Sequence, residues 1–389
     1  MCEGPQVGSS YLCLRIGPGH NDVVAVYTSL SQFNRKWQGA AIIEAVILIA
    51  VFVASVTGNI IVLRTSLRQK HNRSVTNYFV CSLMIVNLVY VVTAPFVASA
   101  RLTSEWKLGH GFCSFLNYWL FVCATCMVWT LAFISIDRYL NISLGVSTLK
   151  RLRGWHIFLM CLSLWAISIL GFLPIALYSA VLEVPYEDKL IKVCTLIWPE
   201  GDANGQSAIF HGAMILVNFV IPGAIISFCY IRIFMTFRKS RRAVESFNHQ
   251  QGAKQARPKV STQTRSLLKT LIGLVVAFIA FWSPIVIVLF LIEKDNQEKT
   301  YKLPSAALVW ALIAAYSNGI ANACLYGMTT RRNKTGGEET VAKATSRVDK
   351  AVDTQDTVVT ATAPSDKEAE LQGAVGAANG TAACTDSKE

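Results

Sequence analysis

An acid, a base and a phenol stand side by side at the end of an apolar run that covers residues 113–136. They are Asp137, Arg138 and Tyr139. The carboxylate and the guanidinium can form an ion pair, and an arginine at the end of a membrane-crossing segment can also extend its charge into water. For a lone arginine, extension of its charge into water is a sufficient explanation. The triplet therefore predicts a charged group at a membrane boundary, and its further role depends on the elements that position it.

The sequence contains no group of residues with the spacing of a catalytic or metal-binding site. Cys123 and Cys126 form a C-x-x-C pair, but they lie inside an apolar run, where thiols normally pack as small apolar groups. We find no pairing of a nucleophile with a base and no set of metal ligands. The sequence therefore predicts neither an enzyme nor a protein that carries a metal or another cofactor.

The composition indicates a membrane protein. Of the 389 residues, 53% are hydrophobic and only 15% are charged, whereas charged residues make up about 25% of a soluble protein. The formal net charge is +12. The basic residues nevertheless cluster in short stretches between apolar runs and not on a soluble domain, so nucleic acid is not an expected partner.

Seven apolar runs have about the 20 residues that a membrane-spanning helix needs. We call them spans 1 to 7, and they cover 41–63, 77–100, 113–136, 156–182, 208–231, 268–292 and 303–328. Strands of a membrane barrel are shorter, and the hydrocarbon core leaves open backbone groups without a partner, so each run is predicted to be a helix. The expected fold is an all-α membrane protein built as a seven-transmembrane helix bundle.

Basic residues predict the orientation of this bundle. The segments after spans 1, 3, 5 and 7 are richer in Lys and Arg than the alternate ones, where Arg101 and Lys107 are the basic residues of the first outer loop. Because basic residues stay in the cytoplasm, the N-terminus is predicted outside and the C-terminus inside. The predicted parts are an extracellular segment 1–40, a membrane domain 41–333, and a cytoplasmic tail 334–389 whose composition is typical of disorder.

Motifs on several spans together resemble one receptor family. Span 1 carries GNIIVL, span 3 follows WKLGHGFC and ends in DRY, span 6 carries FWSP, and span 7 carries NACLY. Over the stretch from about 41 to 333, the chain resembles the rhodopsin-like (class A) G protein-coupled receptors. It has features of orphan members, and it shares Ala323, in place of the usual proline, with melatonin receptors.

The resemblance implies a signalling role at the plasma membrane. Span 6 would move outward on activation, and Arg138, released from an ion pair with Asp137, would then face a heterotrimeric G protein. Tyr230 and Tyr326 match tyrosines that support this arginine in the active state, although a lone tyrosine at an interface is more often a membrane anchor. Val146 matches an apolar contact with the G protein. The other positions that match the family's switch are Pro222, Val128, Phe278, Trp282, Pro284 and Asn322.

The resemblance also implies a disulfide between Cys113 and Cys194, which would hold the second outer loop over a ligand cavity. Cys2 and Cys13 could form a further pair. The tail offers Ser and Thr through which arrestin could bind, and membrane lipids are expected neighbours of the bundle.

Three departures from the family pattern concern the switch itself. Asn87 replaces the usual Asp of span 2, Met127 replaces a Ser of span 3, and Thr264 replaces an acid at the base of span 6. Hard cations prefer charged oxygen ligands, so an amide and a thioether make a poor sodium site. We therefore hypothesise that sodium does not regulate this protein and that its basal activity is raised.

The predicted cavity lies between spans 3, 5, 6 and 7 and is largely apolar. Leu120 stands where amine receptors carry Asp, and Tyr316 stands where opsins carry the retinal-binding Lys, so neither a monoamine nor retinal is an expected ligand. The predicted ligand-binding residues are Leu120, Phe121, Ala124, His211, Asn218, Ile285, Leu289 and Tyr316. His211 could instead face lipid headgroups, and acids of the second outer loop could attract a basic peptide.

Other functional classes remain open on the residues alone. A transporter or channel would need ionisable groups deep in several spans, but apart from histidines only Glu44 and Lys269 fall inside the predicted ones. A ligand-independent or scaffolding receptor is compatible with the three departures at the switch. The leading interpretation is a receptor that passes an extracellular ligand signal to a G protein.

Overall fold

The computed structural model describes residues 11–15, 23–27, 39–68, 75–143, 154–186, 189–197, 206–250, 262–298 and 306–328. Cys2, Val146 and the predicted tail lie outside these residues. Two strands come first and pair antiparallel, namely β1 (Tyr11–Arg15) and β2 (Val23–Tyr27). The helices of the bundle are α1 (Gly39–Arg68), α2 (Val75–Val91), α3 (Ala94–Thr103), α4 (Gly109–Ser143), α5 (Gly154–Gly171), α6 (Leu173–Tyr178), α7 (Gln206–Ile215), α8 (Ile221–Gln250), α9 (Thr262–Glu298) and α10 (Ala306–Met328). The hairpin of β3 (Ser179–Tyr186) and β4 (Lys189–Leu196) lies between α6 and α7.

The prediction of seven spans is confirmed. Within the described residues, seven helical segments are long and apolar enough to cross a membrane, and they are Gly39–Arg68, Val75–Thr103, Gly109–Ser143, Gly154–Tyr178, Ala208–Lys239, Ile272–Ile292 and Ala306–Met328. Two predicted boundaries are wrong. Span 2 continues to Thr103, so Arg101 lies in a helix and not in a loop, and span 4 ends at Tyr178, where β3 begins.

Span 3 occupies the centre of the bundle. In its most apolar stretch, 61% of the residues are buried inside the protein, against 22% in span 1 and 17% in span 6. The peripheral spans carry large exposed apolar side chains such as Ile42, Leu162 and Phe290. A helix that is apolar on all sides needs an apolar surrounding, so these exposed faces are the surface that lipid would cover.

In spans 2 and 5, regular helical structure is interrupted by a turn, and a proline follows that turn. Span 2 leaves the helix at Val92 and Thr93, and α3 then begins at Ala94 with Pro95 in its first turn. In span 5, a π-helical turn covers Leu216–Val220, and the N–H of Ile221 donates to the carbonyl of Leu216. Pro222 follows directly and has no N–H to donate, so the wider turn stands where regular helical bonding would fail. Span 6 remains one helix through Pro284.

The β3–β4 hairpin closes one end of the bundle, which we call the hairpin end. Cys194 on β4 forms the predicted disulfide with Cys113 at the start of span 3, with their Cα atoms 5.7 Å apart. The backbone N–H of Trp106 also donates to the carbonyl of Lys192 at 2.7 Å. The predicted disulfide is thus confirmed, and the second loop of this end is a pinned hairpin. We call the opposite end, which carries Arg138, the arginine end.

A buried ion pair joins spans 1 and 2 near the hairpin end. The Nε of Arg101 donates to Oε2 of Glu44 at 2.9 Å, and the Nη2 atom lies 2.8 Å from the same oxygen. The two side chains are 0% and 3% exposed. Because an isolated buried charge is strongly unfavourable, each of these groups depends on the other.

Candidate ligand cavity and signalling interface

A mostly apolar cavity of about 220 Å³ lies beneath the hairpin, between spans 3, 5, 6 and 7. Seven of the eight predicted ligand-binding residues line it, namely Leu120, Phe121, Ala124, His211, Asn218, Ile285 and Leu289. His211 and Asn218 both reach it although the π-helical turn begins between them. Cys194 and its neighbours on β4 cover the cavity from the hairpin side.

Tyr316 does not line this cavity, which corrects the predicted position of its side chain. Its hydroxyl lies 2.6 Å from Oγ1 of Thr93, and its ring lies 4.8 Å from the ring of Tyr90. The side chain is 1% exposed and joins span 7 to span 2. Leu312 and Ala315, on a neighbouring face of span 7, line the cavity instead.

The cavity wall has no permanently charged side chain among its described residues, and its one ionisable imidazole is that of His211. None of the described lining residues is Asp, Glu, Lys or Arg. The Oδ1 of Asn218 and the Nε1 of Trp282 are buried without a hydrogen-bond partner within the described part of the chain. Buried polar atoms normally have a partner. One acceptor and one donor are therefore available to a ligand in an otherwise apolar site.

Aromatic side chains connect the wall of the cavity to the core of span 6. Trp282 lines the cavity, and Phe278 lies one turn away on the same helix, where its ring stacks on that of Phe219 at 5.6 Å. A Cβ at Gly223 would lie 3.3 Å from the Phe278 ring, so spans 5 and 6 approach closely beside Pro222. Phe278 is buried in the same core cluster as Val128. A change in the cavity can thus reach the contact between spans 5 and 6.

At the arginine end, Asp137 does not pair with Arg138. Its Oδ2 accepts a hydrogen bond from the hydroxyl of Thr76, and its Oδ1 accepts one from Nδ2 of Asn141 at 2.9 Å. Within the described ranges, the structure has no ion pair between Asp137 and Arg138, and the predicted pair is wrong for this conformation. The carboxylate is 1% exposed and already has two donors from spans 2 and 3.

Two tyrosines lie near Arg138, namely Tyr230 on span 5 and Tyr326 on span 7, and the charge of Arg138 acts on both phenols. The Tyr230 hydroxyl also lies 2.9 Å from Oγ of Ser135. Tyr139 points elsewhere, with its ring 5.8 Å from the exposed Phe228 of span 5. The structure therefore places Tyr230 and Tyr326 near Arg138, whereas Asp137 contacts Thr76 and Asn141.

Residues 58–326 match the model of a family described as 7 transmembrane receptor (rhodopsin family), and this match covers more than half of the chain. The chain belongs to this rhodopsin family.

Individual relatives of this receptor have different ligands in their names. The Mus musculus free fatty acid receptor 4 is 28% identical over 299 residues, which cover 76% of this chain and 80% of the relative. The Homo sapiens melatonin receptor type 1B is 26% identical over 287 residues, with 72% and 73% covered. The Sus scrofa neuropeptide Y receptor type 2 is 29% identical over 326 residues, with 80% of each chain covered. These relatives are receptors, which are not enzymes.

A chain of amides joins spans 1, 2 and 7 in the core of the receptor. The Nδ2 of Asn87 donates to Oδ1 of Asn59 at 2.9 Å, and the Nδ2 of Asn59 donates to the carbonyls of Ser55 at 2.8 Å and Gly319 at 3.3 Å. A Cβ at Gly319 would lie 2.9 Å from Oγ of Ser55. Only glycine therefore allows span 7 to approach span 1 this closely.

Met127 occupies the centre of this polar region. Its Sδ accepts a hydrogen bond from Nδ2 of Asn318 at 3.2 Å. The Oδ1 atoms of Asn87 and Asn318 and the Nδ2 of Asn322 are buried without a partner among the residues that the structure describes. Two amide oxygens beside a thioether provide no negative charge, and the absence of sodium regulation stays a prediction.

Sequence reasoning missed several of the polar contacts at both ends. Asn141 lies four residues after Asp137 on one helix face, so this partner had a local signal in the sequence. Thr76 is 61 positions away from Asp137, and Glu44 is 57 positions away from Arg101, so these pairs had none. Thr264 lies on α9, but its side chain is outside the described residues, as is Val146.

Proposed function

We propose that this receptor passes the binding of an extracellular ligand to a heterotrimeric G protein at the plasma membrane. The observation that carries the proposal is that Arg138 has no carboxylate partner among the described residues, although Asp137 is its neighbour in the chain and is buried with two other donors. The charge is thus held at the arginine end of a bundle whose other end contains a cavity. Membership of the rhodopsin family supports this division between a ligand side and a signalling side.

The distribution of basic residues supports an orientation with the arginine end in the cytoplasm. The exposed Arg64 and Arg68 lie at the end of span 1, where Nδ2 of Asn77 donates to the carbonyl of Ser66. Thr76, which precedes Asn77 on span 2, donates a hydrogen bond to Asp137. Arg64 and Arg68 therefore lie at the arginine end. Because basic residues remain in the cytoplasm, the hairpin end and the N-terminus face outward in this proposal.

The coupling step uses span 6. A ligand that packs against Trp282 acts on the helix that also carries Phe278, and this ring stacks on Phe219 of span 5. A ligand favours the state to which it binds more tightly, so contacts that differ between two positions of span 6 shift the equilibrium between them. The G protein then binds the opened arginine end, with Val146 as an apolar contact. Arrestin binds through the tail.

The cavity favours a ligand without a positive charge and with one or two hydrogen-bonding groups. Leu120 supplies no counter-ion for a monoamine, and the core position of Tyr316 supplies no amine for retinal. The relatives are named for a free fatty acid, for melatonin and for neuropeptide Y, so their names point to no single class of ligand. A fatty acid would find no Lys or Arg on the described wall, since the buried Arg101 is paired with Glu44, and His211 is the one lining side chain there that can carry a positive charge.

Nucleotide exchange on purified G proteins tests the proposal. The full-length receptor, in lipid nanodiscs, should accelerate exchange on at least one G protein class, and the Arg138→Ala variant should reduce exchange to the level of the G protein alone. Arg64→Ala is the matched control, because it removes an exposed charge from the same end of the bundle. Exchange that survives Arg138→Ala contradicts the proposed mechanism.

A ligand-independent receptor is the alternative, and two observations favour it. Met127 and Asn87 replace a charged inactive-state site with neutral groups, and Asp137 does not hold Arg138 in this structure. Exchange by the receptor alone, at the same rate as with a saturating agonist from a second-messenger screen, would establish this alternative. A low basal rate that rises with agonist would exclude it.

A further inference from the structure

A groove of about 540 Å³ lies at the arginine end, between the last turns of span 3 and the extension of span 5 beyond the bundle. We call it the basic groove, and its wall consists of Tyr139, Ser143, Arg232, Met235, Thr236, Arg238, Lys239 and Arg242. Four of these eight residues are cationic, and none is acidic. The basic groove is separate from the cavity under the hairpin and shares no residue with it.

The four cations of the basic groove are available for an anionic ligand. Within the described residues, none of them forms an ion pair with a carboxylate. All four are exposed. Two of them lie over aromatic rings of their own helix, with the guanidinium of Arg232 5.9 Å from the Phe228 centroid and that of Arg238 5.8 Å from the Phe234 centroid. These contacts hold the charges beside the helix without neutralising them.

One face of span 5 passes from apolar to basic along its length. Phe228, Arg232, Met235, Lys239 and Arg242 follow each other at spacings of three and four residues, so they share a helix face. Phe228 and Met235 are each 54% exposed. The exposed apolar side chains of this face, Phe228 and Met235, match acyl chains, and Lys239 and Arg242 beyond them are placed where a bilayer carries its headgroups.

Hydroxyl groups on the span 3 side of the basic groove complete the site. The Oγ of Ser143 is buried and has no hydrogen-bond partner in the described part of the chain. Tyr139, whose ring contacts Phe228, lines the same wall. Hydroxyl-bearing residues of span 3 and cations of span 5 thus line one groove, and phosphate oxygens accept hydrogen bonds from both kinds of group. Arg232 and Arg242 lie ten residues apart, about 15 Å along the helix axis, so a headgroup with several phosphates can contact more of the cations than a single phosphate can.

We propose that the basic groove binds an anionic phospholipid whose inositol headgroup carries several phosphates. The acyl chains lie against the exposed apolar face of span 5, and the headgroup lies between the cations of span 5 and the hydroxyls of span 3. This inference rests on the proposed function for its orientation, because it places the arginine end in the anionic cytoplasmic leaflet. A bound headgroup joins spans 3 and 5 beside the surface that is proposed to receive the G protein.

Lipid binding to the purified full-length receptor in detergent tests the inference by native mass spectrometry. The probes are dioctanoyl phosphatidylinositol 4,5-bisphosphate, dioctanoyl phosphatidylserine and the soluble inositol 1,4,5-trisphosphate. The receptor should bind the bisphosphate lipid most tightly. Because each basic residue near an anionic surface contributes about 1 kcal/mol, the Lys239→Gln/Arg242→Gln variant should bind it about 30-fold more weakly.

The control variant Arg64→Gln/Arg68→Gln removes two exposed charges from the same end of the bundle and should bind this lipid as the unchanged receptor does. An equal loss in both variants would show general surface attraction and overturn the inference. Equal affinity for the soluble trisphosphate would overturn the assignment to a lipid. Binding of a soluble acidic protein in preference to the lipid would do the same.

The lipid measurement is independent of G protein coupling. It contains no G protein, and Arg138→Ala, which should abolish nucleotide exchange, should leave lipid affinity unchanged because Arg138 does not line the basic groove. Loss of exchange with retained lipid binding therefore separates the two proposals. If the receptor accelerates nucleotide exchange but does not bind the lipid, the lipid site is contradicted and the proposed coupling to a G protein is not.

Discussion

The hydroxyl of Tyr230 lies 2.9 Å from Oγ of Ser135, and this bond joins span 5 to span 3 one turn before Arg138. Ser135 also donates to the carbonyl of Leu131 at 2.8 Å, and Tyr230 interacts with the charge of Arg138. The two hydroxyls thus form one unit that positions the arginine. Span 5 is held against the guanidinium by a polar contact in an otherwise apolar core.

Removing either hydroxyl of this unit should reduce G protein activation. We expect Tyr230→Phe and Ser135→Ala each to lower agonist-stimulated nucleotide exchange, because each loses a buried hydrogen bond of about 1 kcal/mol. The double variant should be little worse than either single variant, since both remove the same bond. Exchange rates in a double-mutant cycle measure this coupling, and purely additive losses would mean that the two hydroxyls act separately.

The ion pair of Glu44 and Arg101 should be a major contributor to stability. Arg101→Ala leaves a buried carboxylate without its partner and should destabilise the receptor by about 3–5 kcal/mol, seen as a clear fall in melting temperature. The double variant Glu44→Leu/Arg101→Met should recover most of this loss. Lys107→Ala, which breaks the exposed pair with Glu105, should change the melting temperature little. Equal effects of Arg101→Ala and Lys107→Ala would contradict the burial of the pair.

Asn218 should contribute to ligand affinity, whereas Tyr316 should not. For an agonist obtained by second-messenger screening, Asn218→Leu should weaken binding about tenfold, because a hydrogen bond in the cavity is worth about 1–2 kcal/mol. Tyr316→Phe removes the bond to Thr93 outside the cavity and should lower the melting temperature without changing the agonist dissociation constant. The opposite result, with affinity lost only in Tyr316→Phe, would restore the position that the sequence suggested for this tyrosine.

Sodium should have no specific effect on this receptor. Replacing potassium by sodium at constant ionic strength should leave agonist affinity unchanged, because Asn87, Asn318 and Met127 provide no negative charge. The Asn87→Asp/Met127→Ser variant restores a carboxylate and a hydroxyl, and it should gain a melting temperature that rises with sodium. A sodium-dependent loss of agonist affinity in the unchanged receptor would refute the hypothesis.

The spans themselves could be predicted from the sequence because length and hydropathy are local properties. The disulfide of Cys113 and Cys194 followed from the family resemblance, and it is confirmed. The buried position of Arg101 could not be predicted, since a charge near the end of an apolar run resembles a loop residue until its distant partner Glu44 is known. The β3–β4 hairpin was not predicted, because the apolar start of β3 continues the run predicted as span 4.

The site was predictable only at the level of helix faces. The family resemblance placed seven residues at one cavity, and helical spacing added that His211 and Asn218 share a face of span 5. The predicted position of the Tyr316 side chain was wrong. Whether this side chain faces the cavity or span 2 depends on the rotation of span 7, and its contacts with Thr93 and Tyr90 involve a distant part of the chain. The ion pair between Asp137 and Arg138 was predicted wrongly for the same reason, because Thr76, from a distant part of the chain, donates to this carboxylate.

The central claim is that span 6 moves away from the bundle at the arginine end when a G protein binds. A distance measurement between spin labels at Arg68 on span 1 and Ile272 on span 6, both exposed, tests it directly. The labels are introduced on non-natural amino acids, because the chain has its own cysteines, and the distance is measured with and without nucleotide-free G protein. The account predicts a distance that increases by several ångström on complex formation. An unchanged distance in a receptor that has bound the G protein would contradict it.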